Sequence, residues 1–257
     1  MKQTRVAVVV PTNKESIIPR IVKTFLNQTY KNKELLIVLN DNKMDVASFE
    51  ETYGFLENVS FISVDENRHI CSCLNEAAKH LSKDVTHVVR FDDDDLYYPA
   101  YIEQAMKVHM KHRADLSGVE KFNVLLVEDA YIGKMKNGVE NTLLVNPKHP
   151  VGIIGGSMIL NRSLLETLPF DEKNEEVWGA NDTFYGQKAI LEGKRVYARD
   201  SQNFLYVRTH LFSIKQTAVQ DFERFKFITD PIEQIPASMM KEVQFYMEDM
   251  TDLDKIK

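Results

Sequence analysis

The stretch "VTHVVRFDDDDLYYP", Val85 to Pro99, runs from a β-branched apolar segment straight into four consecutive aspartates. Val85, Val88 and Val89 read as a buried strand. Four adjacent carboxylates repel one another at neutral pH, and the ordinary reading of such a run is a solvated turn. Its position at a strand end supplies a sharper reading. Hard carboxylate oxygens gathered there suit Mg²⁺ or Mn²⁺, which in turn bridge phosphate oxygens. A calcium loop is excluded, because Leu96 and Tyr97 stand where a ligand and a glycine are needed. Leu96 also excludes a phosphatase-type D-x-D-x-T nucleophile.

The chain before this stretch alternates strands and helices. "RVAVVVPT" (5–12), "KELLIVLND" (33–41) and "NVSFISVD" (58–65) read as strands. Between them, "ESIIPRIVKTFLNQT" (15–29), "MDVASFEETYGFL" (44–56) and "ICSCLNEAAKHLSK" (70–83) have helical character, with Pro19 tolerable only in a first turn. "PAYIEQAMKVHMKH" (99–112) is a further helix. This alternation predicts a mainly parallel sheet covered on both faces, with ligands beyond the carboxyl ends of its strands. Those ends carry Pro11-Thr12-Asn13, Asn40-Asp41-Asn42 and Asp92 to Asp95, so one edge of the sheet is the expected site.

The second half is more mixed. Asn137-Gly138 is a hairpin-turn signal between strand-like runs. "VGIIGGSMILNRSLLETLP" (151–169) predicts a strand and then a helix opening near Arg162-Ser163. "ANDTFYGQKAILEG" (180–193) reads as a helix ended by Gly193, and "KRVYARD" (194–200) as a strand. From about residue 214 the pattern turns helical and charged, a C-terminal helical appendage.

Bulk properties narrow the function. A net charge of −6 over 257 residues argues against a nucleic-acid binder. No segment approaches the ~20 apolar residues of a membrane span, which gives an expectation of a cytoplasmic protein, peripheral at most at the inner membrane face. Cys71 and Cys73 fit neither a disulfide framework nor a zinc site, and read as reduced thiols on a helix. His109 and His112 lie on one face of a charged helix and are expected to be solvated.

Four segments in order resemble the family 2, GT-A fold nucleotide-sugar glycosyltransferases. "VAVVVPTNKES" with "FLNQTYKNKELLIVLND" is similar to that family's opening. "FDDDDLYYPAYIEQ" resembles its D-x-D-D…P segment, and residues 155–198, from "GGSMIL" through "PFDE" and "ANDTF" to "KRVYA", resemble its second half. The resemblance implies a Rossmann-like, mainly parallel α/β sheet flanked by helices, with a small β-hairpin region. A glycosyltransferase domain would span 1–213, its nucleotide-binding half about 1–100 and its acceptor half about 101–213, with the appendage at 214–257.

It also implies an inverting transfer of sugar from a UDP-sugar (or dTDP-sugar) to a hydroxyl on a glycan or other acceptor, in cell-surface glycan or polysaccharide synthesis. Pro11, Thr12, Asn13 and Glu15 would bind the donor, Asp41 would accept the imide N–H of the base, and Asp92 would approach the ribose and diphosphate. Asp94 and His210 would hold Mn²⁺ or Mg²⁺, and Asp182 would be the catalytic base. Trp178 and Gly179 would shape the acceptor side. Arg68 would replace a basic residue absent before Asn75, and Asn40 and Asn181 stand where the family carries acids. Alternating side chains would put Asp92 and Asp94 on one face. Asp93, counted with the donor-binding set, would then face solvent, and Asp95 would tie down the following turn. A homo-oligomer through the C-terminal helices is a further expectation. A non-catalytic sugar-nucleotide or glycan binder and, on the same fold, a sugar nucleotidyltransferase are the competing readings.

Overall fold

The structure, a computed structural model, describes residues 4–146, 148, 152–172, 181–209, 219–232 and 243. The first half delivers the alternation read from the sequence. In chain order the elements are β1 (Arg5–Thr12), α1 (Ile18–Asn27), β2 (Lys33–Leu39), α2 (Val46–Tyr53), β3 (Val59–Ser63), α3 (Ile70–His80) and β4 (Val85–Arg90). Then follow β5 (Leu96–Tyr97), α4 (Tyr101–Lys111), β6 (Leu116–Val119), β7 (Asn123–Leu126), β8 (Tyr131–Met135) and β9 (Thr142–Leu144). The remainder is β10 (Ile159–Asn161), α5 (Arg162–Thr167), α6 (Asn181–Leu191), β11 (Val196–Arg199), β12 (Phe204–Arg208), α7 (Val219–Ile228) and β13 (Thr229–Pro231).

An eight-stranded sheet has the order β3-β2-β1-β4-β10-β6-β11-β9. β1 to β4 pair in parallel, whereas β10 runs antiparallel to both β4 and β6. β1 explains why the sheet is covered twice. Val6, Val8 and Val10 pack into one apolar cluster with residues of α1 and α4, while Ala7 and Val9 join a second with α3, α5 and α6. Strand alternation sends successive residues to opposite faces, so a strand buried on both sides must be apolar throughout. Cys71 and Cys73 lie in the second cluster as free, buried thiols, and burial pushes them up to about 11 and about 12.

A smaller five-stranded sheet, β13-β8-β7-β12-β5, stands beside the first, with its own apolar cluster. It changes two expectations. The antiparallel pair β7–β8 is the hairpin, but it turns at Val127–Ala130, where Ala130 has φ 46°. Asn137-Gly138 instead leads from β8 in one sheet to β9 in the other, so its positive φ of 101° serves a crossover. After α7 comes β13, paired with β8, a strand that the helical reading of the C-terminal segment lacks.

The histidines of α4 are also corrected. His109 is buried, contacts Ser117 Oγ and Asn161 Oδ1, and sits edge-on to His87 at 5.2 Å. His112 stacks on Tyr197 at 3.9 Å. Neither faces open solvent on a charged helix: the helical face expected to be wet is the one that packs against β6, β10 and β11.

Gln28-Thr29-Tyr30, one of the segments that carries the family resemblance, works as a structural staple. Buried Gln28 donates to Tyr98 O (2.9 Å) and accepts from Ile102 N (3.1 Å) at the start of α4. Thr29 N donates to Pro99 O, and Tyr30 OH donates to Thr4 O. These bonds fix the chain that leaves the acidic turn. Gln28→Ala leaves a helix-start N–H and a carbonyl unpaired in a buried place, so a loss of about 1–3 kcal/mol is expected, read as a lowered urea midpoint with unchanged slope.

Candidate functional site

Phe91 N donates to Val9 O, and there β4 lets go of β1. Asp92 to Asp95 then form a turn rather than continuing the strand. The two-and-two alternation expected of an extended segment therefore does not apply, and each carboxylate is placed by a different partner. Asp93 is buried, not solvated. It accepts from Thr12 Oγ1 at 2.6 Å and pairs with Lys14 Nζ at 3.1 Å, while Arg20 donates to its carbonyl. Burial pushes its pKa up, as does Asp94 beside it, and Lys14 and Thr12 oppose the shift. Thr12 ends β1 and Asp93 follows β4, so this bond spans the point where the strand order turns back on itself.

Asp92 is paired with Arg90, whose guanidinium lies 2.9 Å away. Its backbone N–H donates to Tyr97 OH, which donates in turn to Gly156 O (both 2.8 Å). Tyr97 stacks on Phe91 with ring centres 3.6 Å apart, giving the turn an aromatic floor. Asp95 Oδ1 accepts from Val207 N on β12 at 3.0 Å. This ties the turn to the second sheet. Arg208 Nη1 lies 3.8 Å from Asp94 Oδ2 and 4.0 Å from Asp95 Oδ1.

The glycines of "GGS" explain the close approach of these groups. A Cβ on Gly156 would stand 2.8 Å from Tyr97 OH, 2.9 Å from Asp95 Oδ2 and 3.0 Å from Asp92 Cγ. A Cβ on Gly155 would run into the Arg90 guanidinium. Gly155 N donates to Asp182 Oδ2 at 2.6 Å. Asp182 stands in the first turn of α6, where a carboxylate is favoured by the helix dipole. Its pKa is raised, first by burial and then by Asp92, with Arg90 pulling it down. Arg90 itself stays charged: burial is the largest influence and works against it, but Asp92 and Asp182 together raise its pKa.

The other expected residues fall around this centre. Pro11 is buried in β1, and Asn13 and Glu15 are exposed just beyond it. Asp41 closes its own turn, Oδ1 accepting from Lys43 N at 2.9 Å, in the loop next to Thr12 through the bond from Asn40 N to Thr12 O. Asn40 Nδ2 donates to Asp65 O. Arg68 pairs with Glu172 at 2.8 Å. Glu172 also takes Ser72 Oγ and Asn75 Nδ2, and these hydrogen bonds hold its pKa down at about 2. Trp178, Gly179 and His210 lie outside the described residues.

The cations missed in the sequence include Lys14, Arg20, Arg90 and Arg208. Arg90 carries the clearest signal, a guanidinium inside an apolar strand next to the acids.

Do the residues present suit a divalent cation? Asp95 Oδ2 is buried without a hydrogen-bond partner, and Asp94 lies beside it in the turn. Among the described residues no group of three or more His, Cys, Asp or Glu could hold a metal. Mg²⁺ and Mn²⁺ take one or two carboxylates and fill the rest of their shell with water and substrate phosphate. The two-carboxylate turn fits that mode.

The family described as Glycosyl transferase family 2 matches residues 7–168. The bifunctional glycosyltransferase pgtA of Dictyostelium discoideum is 22% identical over 91% of this chain, which spans only 37% of that protein's length. Staphylococcus aureus TarS 1-349, solved with UDP-GlcNAc, has TM-score 0.59 at 17% identity, over 87% of this chain and 65% of its own. The mannosyltransferase PcManGT of Pyrobaculum calidifontis, solved with GDP-Man and Mn²⁺, has TM-score 0.58 at 17% identity, over 97% of this chain and 69% of its own. These structural likenesses give the fold: a GT-A type α/β architecture.

Asp95 gives a stability test. Its pKa is raised well above the ordinary value, by burial first and then by Asp94 and Asp92, against the pull of Arg208. A carboxyl raised on folding contributes fully below its unfolded pKa of about 3.9 and loses that contribution as pH rises through the folded value. Asp95→Asn keeps the acceptor for Val207 N and removes the charge. We expect it to melt higher than wild type at pH 7, with the difference closing below pH 4. A melting point equal to wild type throughout would show that Asp95 is not held under strain by its neighbours.

Proposed function

This chain belongs to glycosyl transferase family 2, and on that premise we propose that it is an inverting, metal-dependent transferase moving a sugar from a nucleotide diphosphate to an acceptor hydroxyl. One observation carries the reading. The acidic turn and the carboxylate suited to act as base meet at one dipeptide, Gly155-Gly156: Asp182 is bonded to Gly155 N, and Asp92 and Asp95 of the turn crowd Gly156. A UDP-sugar is the donor we place first, as TarS was solved with UDP-GlcNAc; PcManGT, solved with GDP-Man, keeps the nucleotide open to test. The acceptor, by resemblance, is a cell-surface glycan or polysaccharide.

The residues act in stages. The strand-end loops at Pro11 to Glu15 and at Asp41 receive the nucleotide beside the acidic turn. Asp94, with Asp95 behind it, would hold Mn²⁺ or Mg²⁺, which when bound offsets the charge that grows on the leaving diphosphate. Arg90 is paired with Asp92 and also pulls down the pKa of Asp182, opposing the burial that raises it. The bond from Gly155 N fixes the direction of the Asp182 carboxylate. From there Asp182 takes the proton of the acceptor hydroxyl as that oxygen attacks the anomeric carbon from the side opposite the leaving group. Its raised pKa makes it a better proton acceptor than an ordinary aspartate.

Asp182→Asn preserves the shape and the bond to Gly155 but cannot take the proton. A loss of about 10²–10⁴ in kcat is expected, with donor affinity in calorimetry little changed; turnover close to wild type would sink the assignment. The wild-type rate should also fall on the acid side at a pH above that of an ordinary aspartate, because protonating Asp182 removes the base. A pH–rate profile in the presence of Mn²⁺ reads this directly.

A further inference from the structure

We infer that Tyr185 and Asn75 are positioning residues for Asp182: they tie α6 to α3 through the irregular segment after α5, and so fix where α6 presents its carboxylate. In treating Asp182 as the base, the inference rests on the proposed function above. Tyr185 lies three residues after Asp182 on α6, about one turn along. Its anchorage therefore sets both the rotation and the height of the turn that carries the acid.

Side chains hold the segment between the two helices. Leu168 closes α5, and residues 169–172 belong to neither strand nor helix. Buried Tyr185 reaches this stretch twice. Its ring stacks on Phe170 with centres 4.0 Å apart, and its hydroxyl donates to Leu168 O at 2.9 Å. Asn75, in the middle of α3, spends its whole amide on the same stretch. Oδ1 accepts from Phe170 N at 2.9 Å, while Nδ2 donates to Phe170 O at 2.9 Å and to Glu172 Oε1 at 2.8 Å. The two-way bond to Phe170 imitates the pairing of neighbouring strands and fixes that residue in register against α3.

Packing alone does not account for the polar part of this arrangement. A phenylalanine at 185 would bury the same ring; the hydroxyl adds direction, because its bond to Leu168 O sets how α6 stands against the end of α5. The carboxylate of Asp182 has a narrow target, Gly155 N at 2.6 Å. Beside it on α6, Thr183 passes so close to Gly152 that a Cβ there would stand 2.2 Å from Thr183 Oγ1. A helix that turned or slid would lose the first contact or tighten the second. Misplacing a reacting group by about 1 Å costs about 10²-fold in rate.

The test compares wild type, Tyr185→Phe, Asn75→Asp and the double variant Asn75→Asp with Glu172→Gln, at a temperature where melting curves show each to be folded. Asn75→Asp keeps the acceptor for Phe170 N but sets a carboxylate against Glu172; Glu172→Gln then returns an amide donor to the pair. The first readout needs no substrate. With glycine labelled by ¹⁵N, the Gly155 amide is recognised as the resonance that moves most in Asp182→Ala. In both single variants we expect it to move toward its position in Asp182→Ala, and in the double variant to return toward wild type. The second readout is kcat, expected to fall about 10- to 100-fold in the single variants, with calorimetric affinity for UDP or GDP with Mn²⁺ unchanged. A Gly155 amide that stays at its wild-type position while only the melting temperature falls overturns the inference. A loss of donor affinity as large as the loss of kcat does so too. If the amide moves as expected but wild type transfers no sugar from UDP-sugars or GDP-sugars, the positioning of Asp182 stands and the proposed function fails. If wild type transfers sugar and the amide does not move, the function stands and the role of Tyr185 and Asn75 falls.

Discussion

Like-charge repulsion among Asp92, Asp93, Asp94 and Asp95 is the constraint around which the rest of the site is arranged. Two carboxylates about 4 Å apart repel by about 1 kcal/mol in water and by about 4 kcal/mol at a protein surface. The chain answers with countercharges from separate places. Lys14 comes from the loop after β1, Arg90 from the last residue of β4, and Arg208 from the last residue of β12. Lys14 serves Asp93, Arg90 serves Asp92, and Arg208 faces both Asp94 and Asp95. The same arrangement joins the two sheets, since Asp95 accepts from Val207 on β12 while Asp93 accepts from Thr12 on β1.

Steric space matters as much as charge. Gly155 and Gly156 form a floor on which Arg90, Tyr97 and the acids can all approach the backbone. Any side chain there would displace the groups that set the geometry. Below that floor, Tyr101 OH donates to Ser157 O, and Arg199 donates to both. The network is only partly satisfied, since Arg199 Nε is buried without a hydrogen-bond partner.

Much of this was legible in the sequence, for identifiable reasons. A strand buried on both faces must be apolar throughout, so Val6 to Val10 announced themselves, and the helices between strands followed from their periodicity. Gly193 ends α6 with φ 71°, a conformation that favours glycine. The polar strand ends pointed to one edge of the sheet because parallel strands share a direction. Other features resisted. His109 reads as polar, but a partner on β6 and another at the end of β10 make a buried imidazole acceptable. Asn137-Gly138 has hairpin chemistry, yet the strands on either side of it belong to different sheets. Local preference names a turn, not the partners that the turn connects.

By itself, then, the sequence determined the alternating α/β plan, the edge at which polar residues collect, and the identity of the acids, since these follow from periodicity and residue chemistry along the chain. Only the tertiary structure decided which partner each carboxylate meets. Asp93 is buried against Thr12 and Lys14, and Arg68 pairs with Glu172. Arg208 arrives from more than a hundred positions away to face Asp94 and Asp95. The reason is physical. The charge state and orientation of an acid are set by what surrounds it in space, and a linear run of four aspartates carries no information about those surroundings.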